Sequence, residues 1–255
     1  MRINVVSDVH GNAGALARAA DGADLLVCLG DLVLFLDYQD SRGGIFASLF
    51  GAENAERLVA LRTARKFDQA RTFSRGLWDS LGEDPKTVVE REVRAQYAEL
   101  FGVMPQPAYL TYGNVDVPAL WPEYVQPGHT VLDGQVVEIG GRTWGFVGGG
   151  LQTPMRTPYE VDDQTYAEKV AAVGAVDVLA CHIPPDVPGL LYDVQARRFE
   201  RGSAAVLDAI HDTSPGLVLF GHVHQPLRSR VRIGRTECVN VGHFRATETP
   251  YRLEY

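Results

Sequence analysis

The chain has 255 residues, 45% hydrophobic and 22% charged, with a net charge of −8. That is ordinary globular composition, enough for a sizeable core in one large domain or two small ones, and it excludes wholesale disorder. The acidic balance counts against nucleic acid as the main partner, while three widely spaced cysteines (Cys28, Cys181, Cys238) argue against a disulfide framework or thiolate zinc site and for a reduced, cytoplasmic setting.

The first residues, RINVV at 2–6, read as a buried strand rather than the basic start of a signal peptide. The turn SDVHGN follows at 7–12, then a helical run near 13–20, then a second buried strand in DLLVCLGD at 24–31. Strand, loop, helix and strand open an α/β fold. From 36 to 103 the character changes. VVEREVRAQYAELF carries Val89, Val93, Tyr97, Leu100 and Phe101 on one helical face. Glu83-Asp84-Pro85 marks a helix start with Pro in the first turn. Leu58, Leu61, Phe67, Phe73 and Leu77 predict one or two earlier helices. The block reads as a helical insertion in a single domain, either an extra packing layer or a lid or homo-oligomer surface.

AYLTYGNVD at 108–116 returns to strand and loop. TVLDGQVVEIGGRTWGFVGGG at 130–150 reads as strands joined by Asp-Gly and Gly-Gly turns. A polar helix is expected near 160–174, a strand in VDVLACH at 176–182, and a helix at 203–212. GLVLFGHVH at 216–224 is a further strand, and 229–255 holds short closing strands. No stretch reaches the ~18–20 apolar residues that cross a bilayer, so no membrane partner is expected.

Polar residues follow apolar strands at five places: Asp8/His10, Asp31, Asn114, His182 and His222/His224. In open α/β sheets, ligand sites gather outside the carboxyl ends of strands, so the five loops are candidates to converge. In an extended segment residues i and i+2 point the same way, which would let Asp8 and His10 reach one ion, and His222 and His224 a common site. Imidazole and carboxylate suit Mn, Fe, Co, Ni or Zn. Seven such residues are more than one ion needs; two ions bridged by a carboxylate would use them all.

SDVHGN, GDLV, GNVD, CH and GHVH stand in the order of the motifs D-x-H, G-D, G-N-H-D/E, H and G-H-x-H. In this the chain resembles the calcineurin-like metallophosphoesterases, in their bacterial phosphodiesterase-like branch, over nearly its whole length outside 36–103. The resemblance implies an α/β (α+β) four-layer sandwich of two packed mixed β-sheets flanked by helices. It implies a metal-dependent phosphoester hydrolase using a hydroxide bridging two divalent ions, with Mn the ion of choice in assay. Asp8, His10 and His224 would hold the first ion, Asn114, His182 and His222 the second, and Asp31 both. Asp31, Asn114 and His222 would carry the catalytic role.

Val115 departs from the family pattern, which often has His there. That His assists the phosphate and protonates the leaving group, help typically worth ~10²–10⁴-fold. Valine favours substrates with good leaving groups, and a phosphodiester ahead of a monoester. His243, in VNVGHF, and His129 are the candidate substitutes, whereas His211 reads as structural. Asp116 is a candidate for substrate contact or for orienting the Asn114 loop. No Arg closely follows GDLV or GNVD, which disfavours a protein phosphatase, although Arg42 in the inserted block is an alternative phosphate contact. Gly148–Gly150 either approach the substrate or cross tightly behind another loop. The expected partner is a small, nucleotide-like phosphoester. A phosphomonoesterase and a non-catalytic binding or scaffold protein are the alternatives, and the acidic charge disfavours a nuclease.

Overall fold

Short runs of β-branched and leucine residues, too short for helices, become the strands of two large sheets. The computed structural model describes residues 1–255, which divide into two units: residues 1–32 with 100–255, and residues 33–99. The strands, in chain order, are β1 (Arg2–Val6), β2 (Leu25–Cys28), β3 (Ala108–Leu110), β4 (His129–Val131), β5 (Gln135–Ile139), β6 (Arg142–Val147), β7 (Gly150–Leu151), β8 (Glu160–Val161), β9 (Val178–Cys181), β10 (Tyr192–Asp193), β11 (Arg198–Phe199), β12 (Leu217–Phe220), β13 (Arg230–Ile233), β14 (Thr236–Asn240) and β15 (Tyr251–Glu254). The helices are α1 (Ala13–Leu16), α2 (Gly44–Phe50), α3 (Ala52–Thr63), α4 (Phe67–Asp79), α5 (Pro85–Val103), α6 (Asp163–Val173), α7 (Pro188–Leu191), α8 (Ala204–Thr213) and α9 (Phe244–Thr247).

In the first unit, one sheet has the order β15-β1-β2-β3-β4 and the other β13-β14-β12-β9-β6-β5. Both are mixed. β1, β2, β3 and β4 run parallel with β15 antiparallel at the edge, and β6, β9, β12 and β14 run parallel between two antiparallel edges. Alternate side chains of a strand face opposite sides of its sheet. Val178 and Ala180 of β9 therefore join Ile3, Val5, Val27, Trp144 and Phe146 in the core between the sheets. Leu179 and Cys181 face the other way, against Tyr166 and Val170 of α6 and Val206 and Ile210 of α8. Helices thus flank two packed mixed sheets, as the motif resemblance implies. Asp162 caps α6 by accepting from Thr165 N (2.7 Å), and Ser203 caps α8 by accepting from Val206 N (3.2 Å).

The second unit holds α2–α4 and most of α5 around Leu36, Phe46, Ala55, Leu58 and Ala70, with Phe46, Phe50 and Trp78 in mutual ring contact. Asp84 accepts from Thr87 N (3.0 Å) in front of Pro85, so α5 begins at the expected Glu-Asp-Pro signal. Three local expectations shift. Val88 is buried where the sequence pattern selects Val89, because the helix presents that residue to its packed face. Phe67 opens α4 and is 56% exposed. The run near 13–20 is helical only over Ala13–Leu16, and the closing segment contains α9 as well as strands. No helix is long and apolar enough to cross a membrane.

Candidate metal centre

The site lies in the first unit, at the carboxyl ends of parallel strands. Asp8 and His10 follow β1, Asp31 follows β2, and Asn114 follows β3; His182 follows β9, and His222 and His224 follow β12. Adjacent parallel strands end side by side, so their loops meet without long connections. Asp8 N donates to Gly30 O (3.0 Å), His10 N to Asp31 O (2.9 Å) and Gly11 N to Leu32 O (2.8 Å), which lays the first loop along the second. The backbone here is not extended. Asp8 (φ 59°), His10 (φ 42°), Asp31 (φ 56°) and His222 (φ 67°) all sit in the left-handed region. For residues with a side chain this costs about 1–3 kcal/mol each. The i, i+2 argument for Asp8 and His10 therefore fails in detail: the loop bends sharply, and the two side chains meet through that bend.

The donor atoms form two sets. His224 Nε2 is 3.2 Å from His10 Nε2 and 3.3 Å from Asp8 Oδ1, and His10 Nε2 is 3.9 Å from Asp31 Oδ2. On the other side, Asn114 Oδ1 is 3.0 Å from His182 Nε2 and 2.9 Å from His222 Nδ1, and His182 Nε2 is 3.4 Å from the same Asp31 Oδ2. Two ligands on one ion with bonds of about 2.1 Å stand roughly 3–4 Å apart, so both sets fit a divalent ion. His222 and His224 diverge, one into each set. Asp8 Oδ1 is buried and accepts no well-formed hydrogen bond, as a donor reserved for a cation would be.

Three of the donors, His182, Asp31 and Asn114, are oriented from behind. His182 Nδ1 faces Leu29 O (2.9 Å); as a neutral imidazole it donates there and leaves Nε2 free. Asp31 Oδ1 accepts from Val115 N (2.9 Å), which turns Oδ2 inward. Asn114 Nδ2 donates to Thr157 Oγ1 (2.9 Å), and that hydroxyl donates to Glu160 Oε1 (2.7 Å), so the amide oxygen faces the histidines. A Cβ on Gly113 would overlap the Asp31 carboxylate and amide; only glycine lets these loops touch.

Charge is concentrated here. Burial works to raise the Asp8 carboxyl, yet His224, His182 and His10 hold it well below the usual carboxylate range. Asp31 likewise stays low: His182 and His10 outweigh its burial. Burial opposes protonation of His182, but Asp31 and Asp8 lift it to about 9. Burial and the neighbouring His182 lower His222, and burial and His224 push His243 down to about 3, so both favour neutral imidazole.

The remaining candidates separate cleanly. Asp116 is 0% exposed and does not reach a substrate: its carboxylate accepts from Asp31 N (2.8 Å), Leu32 N (3.0 Å) and Gly113 N (2.8 Å), tying two ligand loops together. His129 opens β4 in register with Ala108, at the opposite end of the strands from the site, and packs against Phe101. His211 lies on exposed α8 surface, and Arg42, also exposed, pairs with Asp40 at 2.9 Å. Gly148–Gly150 cross behind a ligand loop, since a Cβ on Gly148 would lie 2.8 Å from Tyr112 N and one on Gly150 2.7 Å from Asn114 Cβ. His243 does enter the site: its ring stacks on His224 (centroids 3.9 Å apart) and meets His10 edge-on. Thr157, Glu160 and Arg245, whose guanidinium donates to His10 O (2.7 Å), belong to the support and carry no motif of their own.

The family described as calcineurin-like phosphoesterase matches residues 1–226. No curated protein matches the sequence. One solved structure aligns with a TM-score of 0.58 and 16% identity, over 95% of this chain and 91% of that chain. Another, TT1561 of Thermus thermophilus, aligns with a TM-score of 0.53 and 15% identity, over 99% of this chain and 98% of that one. At such identities the two likenesses speak to the fold alone.

Proposed function

The chain belongs to the calcineurin-like phosphoesterase family, and on that premise we propose that it hydrolyses a small phosphodiester at a centre of two divalent ions. The observation that carries this reading is the pair of donor sets meeting at one oxygen, Asp31 Oδ2. Asp8, His10 and His224 would hold one ion, Asn114, His182 and His222 the other, and Asp31 would serve both. When bound, such ions make water nucleophilic near neutral pH and offset the charge on phosphate oxygens. The protein supplies the rest. Asp8, Asp31 and His182 are almost fully buried, so the donors act where charge interactions are little screened. Left-handed loops, the Asp116 hub and the Thr157–Glu160 support hold them in place before substrate arrives, which is where preorganised sites gain their rate.

Val115 offers only its backbone N–H, already given to Asp31, and no proton donor for a leaving group. This favours a diester whose leaving oxygen needs little protonation, and a nucleotide-like compound fits that chemistry. Manganese is the ion of choice for assay, since the N/O donor set accepts several first-row ions. A screen of the Mn²⁺-loaded protein against bis-p-nitrophenyl phosphate, p-nitrophenyl phosphate and nucleotide diesters is the test. Turnover of the diesters ahead of the monoester, with two ions per chain by metal analysis, is expected. Turnover of the monoester alone would replace the diester reading. An absence of metal uptake and turnover with every common divalent ion would leave a binding protein on this fold.

A further inference from the structure

We infer that His243 is a third imidazole donor to the ion on the Asp8, His10 and His224 side, a role that rests on the two-ion reading above. His243 is 6% exposed, and neither of its ring nitrogens has a hydrogen-bond partner. A buried imidazole left without partners is costly, so the ring needs one that the protein itself does not supply. Its helix does not account for it: His243 stands at the N-cap of α9, but the side chain makes no cap hydrogen bond. What it faces is the ligand set. The ligand atoms of His10, His224 and His243 lie within 4.8 Å of one another. Donors across a single ion with bonds of about 2.1 Å stand at most about 4.2 Å apart. The three nitrogens are therefore close to the spacing that one ion requires, and a turn of the His243 ring about its broad terminal torsion would take up any remaining distance and break the parallel stack on His224.

The consequence is an asymmetric centre. One ion would have three imidazoles with Asp8 and Asp31; the other would have two with Asn114 and Asp31. Nitrogen-rich sets move preference away from manganese and toward zinc, cobalt or iron. The two ions would therefore differ in kind when several metals compete.

The test titrates Co²⁺ into the full-length ion-free protein, following visible absorption and calorimetric affinity, for wild type, His243→Ala and His243→Phe. Phenylalanine keeps an aromatic ring beside His224 but has no nitrogen. Thermal melts of the ion-free variants report whether each is folded. If His243 is a donor, both variants weaken one Co²⁺ site by at least about tenfold, the loss typical of even an outer support of a metal ligand, and both change its visible bands. Zn²⁺ preference over Mn²⁺ at that site falls with them. Wild-type affinity and spectrum in the Phe variant alone would overturn the proposal and leave a packing role. Wild-type behaviour in both would also overturn it, while the two-ion reading stood. If wild type itself takes up no Co²⁺, the two-ion reading fails first.

Discussion

Replacing Thr157 by valine isolates the orientation of one ligand. Valine has the shape of threonine without its hydroxyl, so the change removes two hydrogen bonds and little packing. Asn114 Nδ2 loses its acceptor at 2.9 Å, and Glu160 loses a donor at 2.7 Å. Glu160 still accepts from Thr153 N and Thr153 Oγ1, both at 2.7 Å, and is partly exposed, so water makes up much of its loss. The term that remains is the neutral hydrogen bond to the Asn114 amide, about 0.5–1.5 kcal/mol. That corresponds to about 2- to 12-fold in affinity. The expected result is this weakening of the ion proposed for Asn114, His182 and His222, with the other proposed ion changed less than about twofold. Competition with a chromophoric chelator resolves the two affinities, and Thr157→Ser, which keeps the hydroxyl, restores the first. Equal weakening of both ions, or wild-type affinity for both, would refute the argument.

Gly113→Ala drives a Cβ into Asp31 and is expected to cost roughly 1–3 kcal/mol or more, seen as a lower melting temperature together with loss of ion binding. Asp116→Asn keeps one acceptor oxygen but sets an amide NH₂ against at least one of the three backbone N–H groups that now meet the carboxylate, and should destabilise the protein by about 1–3 kcal/mol in denaturant melts. His182 is raised in the folded ion-free protein from 6.5 to about 9. Its contribution to stability is then fully present below pH 6.5 and lost as pH rises through about 9, so the ion-free melting temperature should fall over that interval. On the proposed assignment the same proton must leave before His182 can bind an ion, so calorimetry in buffers of different ionisation enthalpy should detect proton release on Co²⁺ binding at about pH 7.

Much of the candidate centre is legible in the sequence because its candidate donors stand where apolar runs stop. Asp8, Asp31, Asn114, His182 and His222 each follow a strand, and hydrophobic patterning locates strand ends. What periodicity cannot register is the backbone between them. The left-handed conformations at Asp8, His10, Asp31 and His222 carry no compositional mark, since such positions usually favour glycine. Thr157 and Glu160 are invisible for another reason: they reach Asn114 through tertiary contacts from a loop with no motif. Asp116 is visible in GNVD, but only the fold decides between its two readings, by enclosing its carboxylate among three N–H groups. Helix positions move by one residue, as with Val88 and Val89, because apolar spacing defines the period of a helix more firmly than its phase against a neighbour.

The left-handed residues also bear on how this protein can be improved. Glycine at position 8, 10, 31 or 222 would relax the backbone and erase a donor in the same step. Selection for thermal robustness alone, carried out on the ion-free protein, would thus be drawn toward variants that lack these candidate donors. Selection in the presence of the bound ions would resist that drift, because ligand binding stabilises the folded state by an amount that grows with affinity.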